Sequence, residues 1–266
     1  MTYIIAEAGI NHGGDMDRAK RLVDEAKKAG ADAVKFQLYR TELIARPGPK
    51  FDLLERCRLS EGNMAALKVA ADNCGIDFLC TPFDPGMCRF LIDDLGLKTI
   101  KIASGNLDNA ALLRATKGAH RVLLSTGGAT IEQMLVARGF IEMPNVVMMQ
   151  CTSGYPTPVE DVNLAVLMTH NQYMGGKFGL SLHTPEPALG PAAAALGAEV
   201  IEAHFAIGGP LVPDAEVSFY PDDFTEMVRG IRVVEKAMGD GCKRPMPCES
   251  EALKVFAERA ELRCTS

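Results

Sequence analysis

The feature that most restricts how this chain can fold is a short phrase repeated along it. KAGADAVKF, NCGIDFLC, DLGLKTIKI and ALGAEVIEAHF each set a glycine after a helix-forming stretch and then a brief β-rich apolar run. Glycine there supplies the left-handed cap that ends a helix. The same reading along the whole chain predicts eight strands: Tyr3–Ala6, Ala33–Phe36, Asp77–Cys80, Thr99–Ile102, Arg121–Leu124, Val146–Gln150, Phe178–Leu180 and Glu199–Ala203.

Eight strand–helix units in ~250 residues is the arithmetic of a (β/α)8 TIM barrel, an α/β fold. An open doubly wound sheet is the alternative. It would want a GxGxxG turn after its first strand, which Gly9-Ile10-Asn11-His12-Gly13-Gly14 does not match. The expected organisation is a barrel domain over residues 1–240 and a tail over 241–266, where the Gly/Pro/Cys-rich GDGCKRPMPCES leads into a short helix. The longest interruption, Leu38–Ser60, is expected to run over the barrel mouth.

At 266 residues and 47% apolar content the chain can bury one large core. Its net charge of −6 gives no support to a nucleic-acid partner, so an anionic ligand must be met by cations placed locally. No apolar stretch approaches the length of a membrane span, and Met1–Glu7 enters a strand without a cleavage signal. Eight cysteines without a CxxC are expected as reduced thiols of a cytoplasmic enzyme.

Active sites of such barrels form where the strands end. The exits carry Glu7, Lys35 with Gln37, Thr81, Lys101 with Ser104, Ser125 with Thr126, Thr152 with Tyr155, Ser181 with His183, and Glu202 with His204. A buried lysine must be paired or lose its proton. Two ammonium groups among hydroxyls suit a dianion carrying phosphate. The competing reading gives Lys35 and Lys101 structural glutamate partners, Glu7 or Glu202, and no ligand. His183 and His204 end consecutive parallel strands and can reach one spot, and imidazole is the commonest ligand of transition metals. A Cys80/Cys151/His204 zinc set can be drawn, but its spacing matches no zinc signature. His12 either contacts a ligand or caps the first helix. His120 and His170 are expected to be exposed, and Met148 and Met149 to fill core.

Taken together and in order, IIAEAGINHGGDMDRAKRLVDEAKKAGADAVKFQ, FLCTPFD, KIASG, LLSTGGAT, CTSGYPTPVEDVNL, LSLHT and GAEVIEAHF resemble the N-acetylneuraminate (sialic acid) synthases and their relatives making other nonulosonic acids. The resemblance implies the same barrel and a transferase that joins phosphoenolpyruvate to a sugar-like aldehyde. Position by position, Lys35, Thr81, Lys101, Ser104, Ser125 and Ser181 match its phosphoenolpyruvate site. His183 and His204 match its divalent metal ligands, usually for manganese, with magnesium or cobalt as alternatives. Glu7 matches an acid at the end of the first strand, and Gln37, Tyr155 and Asp214 match residues that handle the acceptor. Asn106 stands where an acid often follows the KIxS serine.

There are departures. Ser181-Leu182-His183-Thr184 replaces S-D-H-T, Ala203-His204-Phe205 replaces KHF, and Val212-Pro213-Asp214-Ala215 replaces GPDH. The resemblance therefore predicts an intact phosphoenolpyruvate and metal half and an altered acceptor half. It covers the barrel only, since a small antifreeze-like domain usual in the family has no counterpart up to Ser266. The implied partners are small molecules, with a homodimer possible and neither nucleic acid nor membrane. Two other functions stay open: a scaffold subunit with a retired site, and a keto-acid lyase or aldolase marked by a Schiff-base lysine.

Overall fold

The computed structural model of the chain describes residues 1–142, 145–169 and 176–264, so His170 lies outside the described residues. Eight parallel strands close into a barrel in sequence order. They are β1 (Tyr3–Gly9), β2 (Ala33–Leu38), β3 (Asp77–Pro82), β4 (Thr99–Ile102), β5 (Arg121–Ser125), β6 (Val146–Gln150), β7 (Lys177–Leu182) and β8 (Val200–His204). β1 pairs with both β2 and β8, which closes the ring. Six of the eight strands, all but β4 and β6, run further toward their C-terminal ends than the sequence reading has them, which puts Glu7, Gln37, Thr81, Ser125, Ser181 and His204 on rigid strand backbone.

The repeated glycines take the predicted role. Gly30, Gly75, Gly96 and Gly197 all have positive φ, at 88°, 66°, 68° and 91°, a region open to glycine at little cost. At the other end of the first helix, α1 (Met16–Lys28), Asp15 is the cap and accepts from the amides of Asp17 and Arg18. His12 therefore does not cap that helix. It is buried, and its Nδ1 accepts from the amide of Gly14 at 3.1 Å.

Strand side chains alternate between two environments, as a period of two requires. Ile4, Ala6, Val34, Phe36, Cys80, Ile100, Ile102, Leu124, Met148, Leu182 and Ala203 pack in the large cluster that includes the helices. Ile5, Ala33, Leu79, Leu123, Val147, Met149 and Val200 form the separate plug inside the barrel. Met148 and Met149 are thus core residues in different layers. Met149 packs where Gly179 leaves room, since a Cβ there would meet its Sδ at 2.6 Å.

The excursion after β2 is ordered, with helices α2 (Thr41–Ile44) and α3 (Pro49–Arg56). Tyr39, Leu54 and Cys57 fold back on Ile10 as a small core of their own. The last barrel helix spans Pro221–Ala237, and the chain divides into compact units at Glu235/Lys236. The second unit holds a helix over Ser250–Cys264 whose described side chains are exposed. Among the described residues no helix is long and apolar enough to cross a membrane. Cys57, Cys74, Cys80, Cys88, Cys151, Cys242 and Cys248 are free.

Candidate active site at the C-terminal rim

Above the apolar plug, the inward positions turn polar and line a cavity of about 640 Å³. Of the residues named at the strand ends, Glu7, Lys35, Gln37, Thr81, Lys101, Ser104, Ser125, Tyr155, Ser181, His183, Glu202 and His204 border it, as does Asp214 from the loop after β8; Thr126 and Thr152 do not, their hydroxyls donating to the carbonyls of Met149 and Asp161. Asn106 lies outside it too. It lies on a 3-10 turn over Ser104–Asn106, and its Oδ1 faces Asn109 Nδ2 at 3.5 Å rather than the cavity. Cys80 packs in the outer layer with its Sγ 3.9 Å from Met64 Sδ, so the Cys80/Cys151/His204 set does not assemble. His120 is exposed as expected.

The two lysines are not bare cations. Lys35 Nζ lies 2.8 Å from Glu7 Oε2, 3.6 Å from Glu202 Oε1 and 2.9 Å from Thr81 Oγ1. Lys101 Nζ lies 2.9 Å from Glu202 Oε1, which also accepts from Ser181 Oγ at 3.1 Å. Glu202, which the sequence offers only as a possible structural partner, is the hub of the cluster. Burial opposes its charge, but Lys101 and Lys35 together hold its pKa down to about 2. Burial acts the same way on Glu7 but prevails there, raising its pKa, with Lys35 pulling against that and Glu202 adding to it. Lys35 stays above the ordinary lysine value despite burial, because Glu202 and Glu7 face it. The cluster therefore holds one firmly ionised carboxylate and one inclined to keep a proton.

The imidazoles meet as their strand positions predict, with ring centroids 5.4 Å apart in an edge-to-face arrangement. His183 Nδ1 sits 2.6 Å from the carbonyl oxygen of Thr152. A carbonyl only accepts, so Nδ1 carries the hydrogen and Nε2 keeps a lone pair, met at 3.0 Å by the Tyr155 hydroxyl. His204 Nδ1 is buried without a hydrogen-bond partner, its nearest acid being Asp214 Oδ2 at 3.6 Å. Burial lowers the pKa of both, that of His204 to about 3 with His183 adding to the effect. Neutral imidazole backed by a carbonyl is the form that ligates metals. The unpartnered Nδ1 of His204 and the Nε2 lone pair of His183 are a donor pair of the kind that fits a divalent ion, although no group of three or more His, Cys, Asp or Glu among the described residues is arranged to hold one.

The rim also has groups that sequence reading missed. Lys50 and Phe83 line the cavity. Gly127 donates its amide to Ser104 Oγ at 3.0 Å, and Cys151 Sγ lies 3.2 Å from the same oxygen. Asp214, raised to about 6 by burial and then by Glu7, is the third cavity acid. Leu182 and Ala203, the two substitutions next to the histidines, face the helix layer, so they leave the cavity wall unaltered.

A closed parallel barrel whose C-terminal mouth gathers buried lysines, carboxylates and two imidazoles is a TIM-barrel enzyme. The NeuB family model matches residues 22–243, and the chain belongs to that family. It is 41% identical to an uncharacterised protein of Methanocaldococcus jannaschii over 97% of this chain and 78% of that one. It is 33% identical to N,N'-diacetyllegionaminic acid synthase of Campylobacter jejuni over 96% of this chain and 82% of the other. The crystal structure of N-acetylneuraminic acid synthetase from Leptospira borgpetersenii, in complex with citrate, superposes with a TM-score of 0.88 at 31% identity, covering 96% of this chain and 90% of that one.

Proposed function

We propose that the chain condenses phosphoenolpyruvate with a sugar-like aldehyde, giving a 2-keto-3-deoxy acid and inorganic phosphate. The observation that carries this reading is the convergence of Lys35, Lys101, Glu202 and the His183–His204 pair on one cavity. C3 of phosphoenolpyruvate forms a bond to the aldehyde carbon, and the aldehyde oxygen gains a proton. Water adds at C2, the C2–O bond to phosphate breaks, and the water oxygen becomes the new ketone oxygen.

Lys35 and Lys101, with the hydroxyls of Thr81, Ser104, Ser125 and Ser181, hold the phosphoenolpyruvate anion and fix C3 toward the imidazole side. Glu7, the carboxyl inclined to carry a proton, exchanges it with the attacking water or the nascent alcohol. Gln37, whose Nε2 donates to Glu7 Oε1 at 2.8 Å, joins Tyr155 and Asp214 on the acceptor side. His183 and His204 would hold a divalent ion such as manganese, which when bound supplies Lewis acidity toward the aldehyde oxygen. Both lysines face carboxylates, and Lys35 is held protonated, which argues against a Schiff-base aldolase. The free cysteines support a reducing, cytoplasmic setting.

Incubation with phosphoenolpyruvate, Mn²⁺ and a panel of aldoses tests the proposal. Phosphate should appear only when an acceptor is present, and in H₂¹⁸O the label should enter the keto acid and not the phosphate. Label in the phosphate would refute the C–O cleavage, and silence across a broad panel would favour a scaffold role.

A further inference from the structure

Asn11, in the turn after β1, is completely buried. Its amide uses every bond to reach a distant segment of chain. Oδ1 accepts from the backbone amide of Asp214 at 2.9 Å, while Nδ2 donates to the carbonyl of Phe205 at 3.0 Å and to Ser218 Oγ at 2.9 Å. Ser218 Oγ in turn donates to the carbonyl of Asp214 at 2.7 Å. Both backbone polar groups of Asp214 are thus gripped. Arg18, buried on the first helix, adds bonds from the same side to the carbonyls of Ile207, at 2.7 Å, and of Leu211.

The segment from Ile207 to Asp214 has no helix or strand of its own; a 3-10 turn begins only at Ala215. Its carboxylate nevertheless stands 3.6 Å from His204 Nδ1, and a Cβ on Gly9 would meet it at 3.6 Å. A side chain on an irregular surface loop keeps such a place only when its backbone is anchored. We infer that Asn11, working with Ser218, is a positioning residue for the aldehyde side of the reaction: it fastens the Asp214 loop to the first strand and so sets the carboxylate against His204. The lysines and hydroxyls of the phosphoenolpyruvate side sit on or beside other strands and do not depend on this anchor.

The kinetic consequence rests on the condensation reading; the anchoring does not, so the two are tested separately in the full chain. Hydrogen exchange followed by mass spectrometry on residues 206–218 reads the anchor in Asn11→Ala and Ser218→Ala. Steady-state kinetics reads its use. The expected result is faster exchange confined to that segment, a rise of roughly tenfold or more in KM for the aldehyde, and a KM for phosphoenolpyruvate within about twofold of the parent. Ser218→Thr, which keeps the hydroxyl, should restore both. Unchanged exchange, or the two KM values rising together, overturns the inference. If Asn11→Ala does not fold, Ser218→Ala decides alone. If the parent protein releases no phosphate with any aldehyde, the condensation reading fails while exchange still decides the anchor.

Discussion

Lys101 on β4 and Glu202 on β8 meet across the barrel, Nζ to Oε1 at 2.9 Å, although their strands are four places apart around the ring in either direction. The contact spans the lumen. It is possible because the apolar plug stops one layer below, at Leu123 and Val200, leaving a floor on which long polar side chains from opposite walls can touch. Lys35 reaches the same carboxylate oxygen from β2 at 3.6 Å, so a single glutamate positions both ammonium groups of the proposed anion site.

This linkage separates binding from folding in a variant series. Lys101→Ala should abolish measurable phosphoenolpyruvate binding by calorimetry, and unchanged affinity would refute its role. The same change should cost on the order of 3–5 kcal/mol of stability, because Glu202 loses its closest cation in a buried setting. Lys101→Met combined with Glu202→Gln removes both charges. Denaturant midpoints should return most of the way to the parent while binding stays lost, and a double variant as unstable as Lys101→Ala would show that the pair is not the source of the cost.

The imidazole pair makes a second prediction. His204→Ala should leave the protein without its divalent ion after dialysis, as read by elemental analysis, and full occupancy would contradict the ligand assignment. Tyr155→Phe keeps the ring stacked on His183, at 4.1 Å between centroids, but removes the hydroxyl that meets Nε2. Mn²⁺ affinity in that variant should equal or exceed the parent's. A fall would mean that the phenol helps hold the ion rather than competing for the nitrogen.

Most of this rim was legible in the sequence because a strand's period is rigid. Once Ile5 or Val200 is read as inward, Glu7 and Glu202 must be inward too. The same period exposes a wrong inference: Leu182 and Ala203 neighbour the histidines in sequence but point to the opposite face, so their replacement says nothing about the acceptor. Asn106, which only the resemblance offers, follows β4 on a 3-10 turn where no strand period operates, and it does not line the cavity. The hub position of Glu202 and the grip of Asn11 on Asp214 depend on pairings across the ring and across some 200 residues of chain, which no local pattern encodes.

Buried His12 gives a prediction about acid stability. Burial, and then the nearby charge of Arg18, lower its pKa from 6.5 to about 4. Between those values the unfolded chain binds a proton that the folded chain refuses, so stability falls as pH falls through that window, by about 3 kcal/mol from this residue. His12→Gln should be less stable than the parent at pH 8, having lost the fit beside Phe36. Its urea-derived stability should nevertheless decline less steeply between pH 6.5 and 4. Parallel curves would show that His12 is not the group that titrates.

Glu7 should register the arrival of phosphoenolpyruvate. Its carboxyl already sits above the ordinary range because burial and the charge of Glu202 outweigh Lys35. An incoming anion that engages Lys35 both competes for that cation and adds negative charge, and each change favours the protonated acid. Binding should therefore take up protons on the alkaline side of Glu7's own pKa, visible as a binding enthalpy that depends on the buffer's ionisation enthalpy. Glu7→Gln should lose most of the uptake, whereas Asp214→Asn, changed on the acceptor side, should keep it. Net proton release, or uptake undiminished in Glu7→Gln, would mean that another group balances the charge and that Glu7 is not the proton carrier of the site.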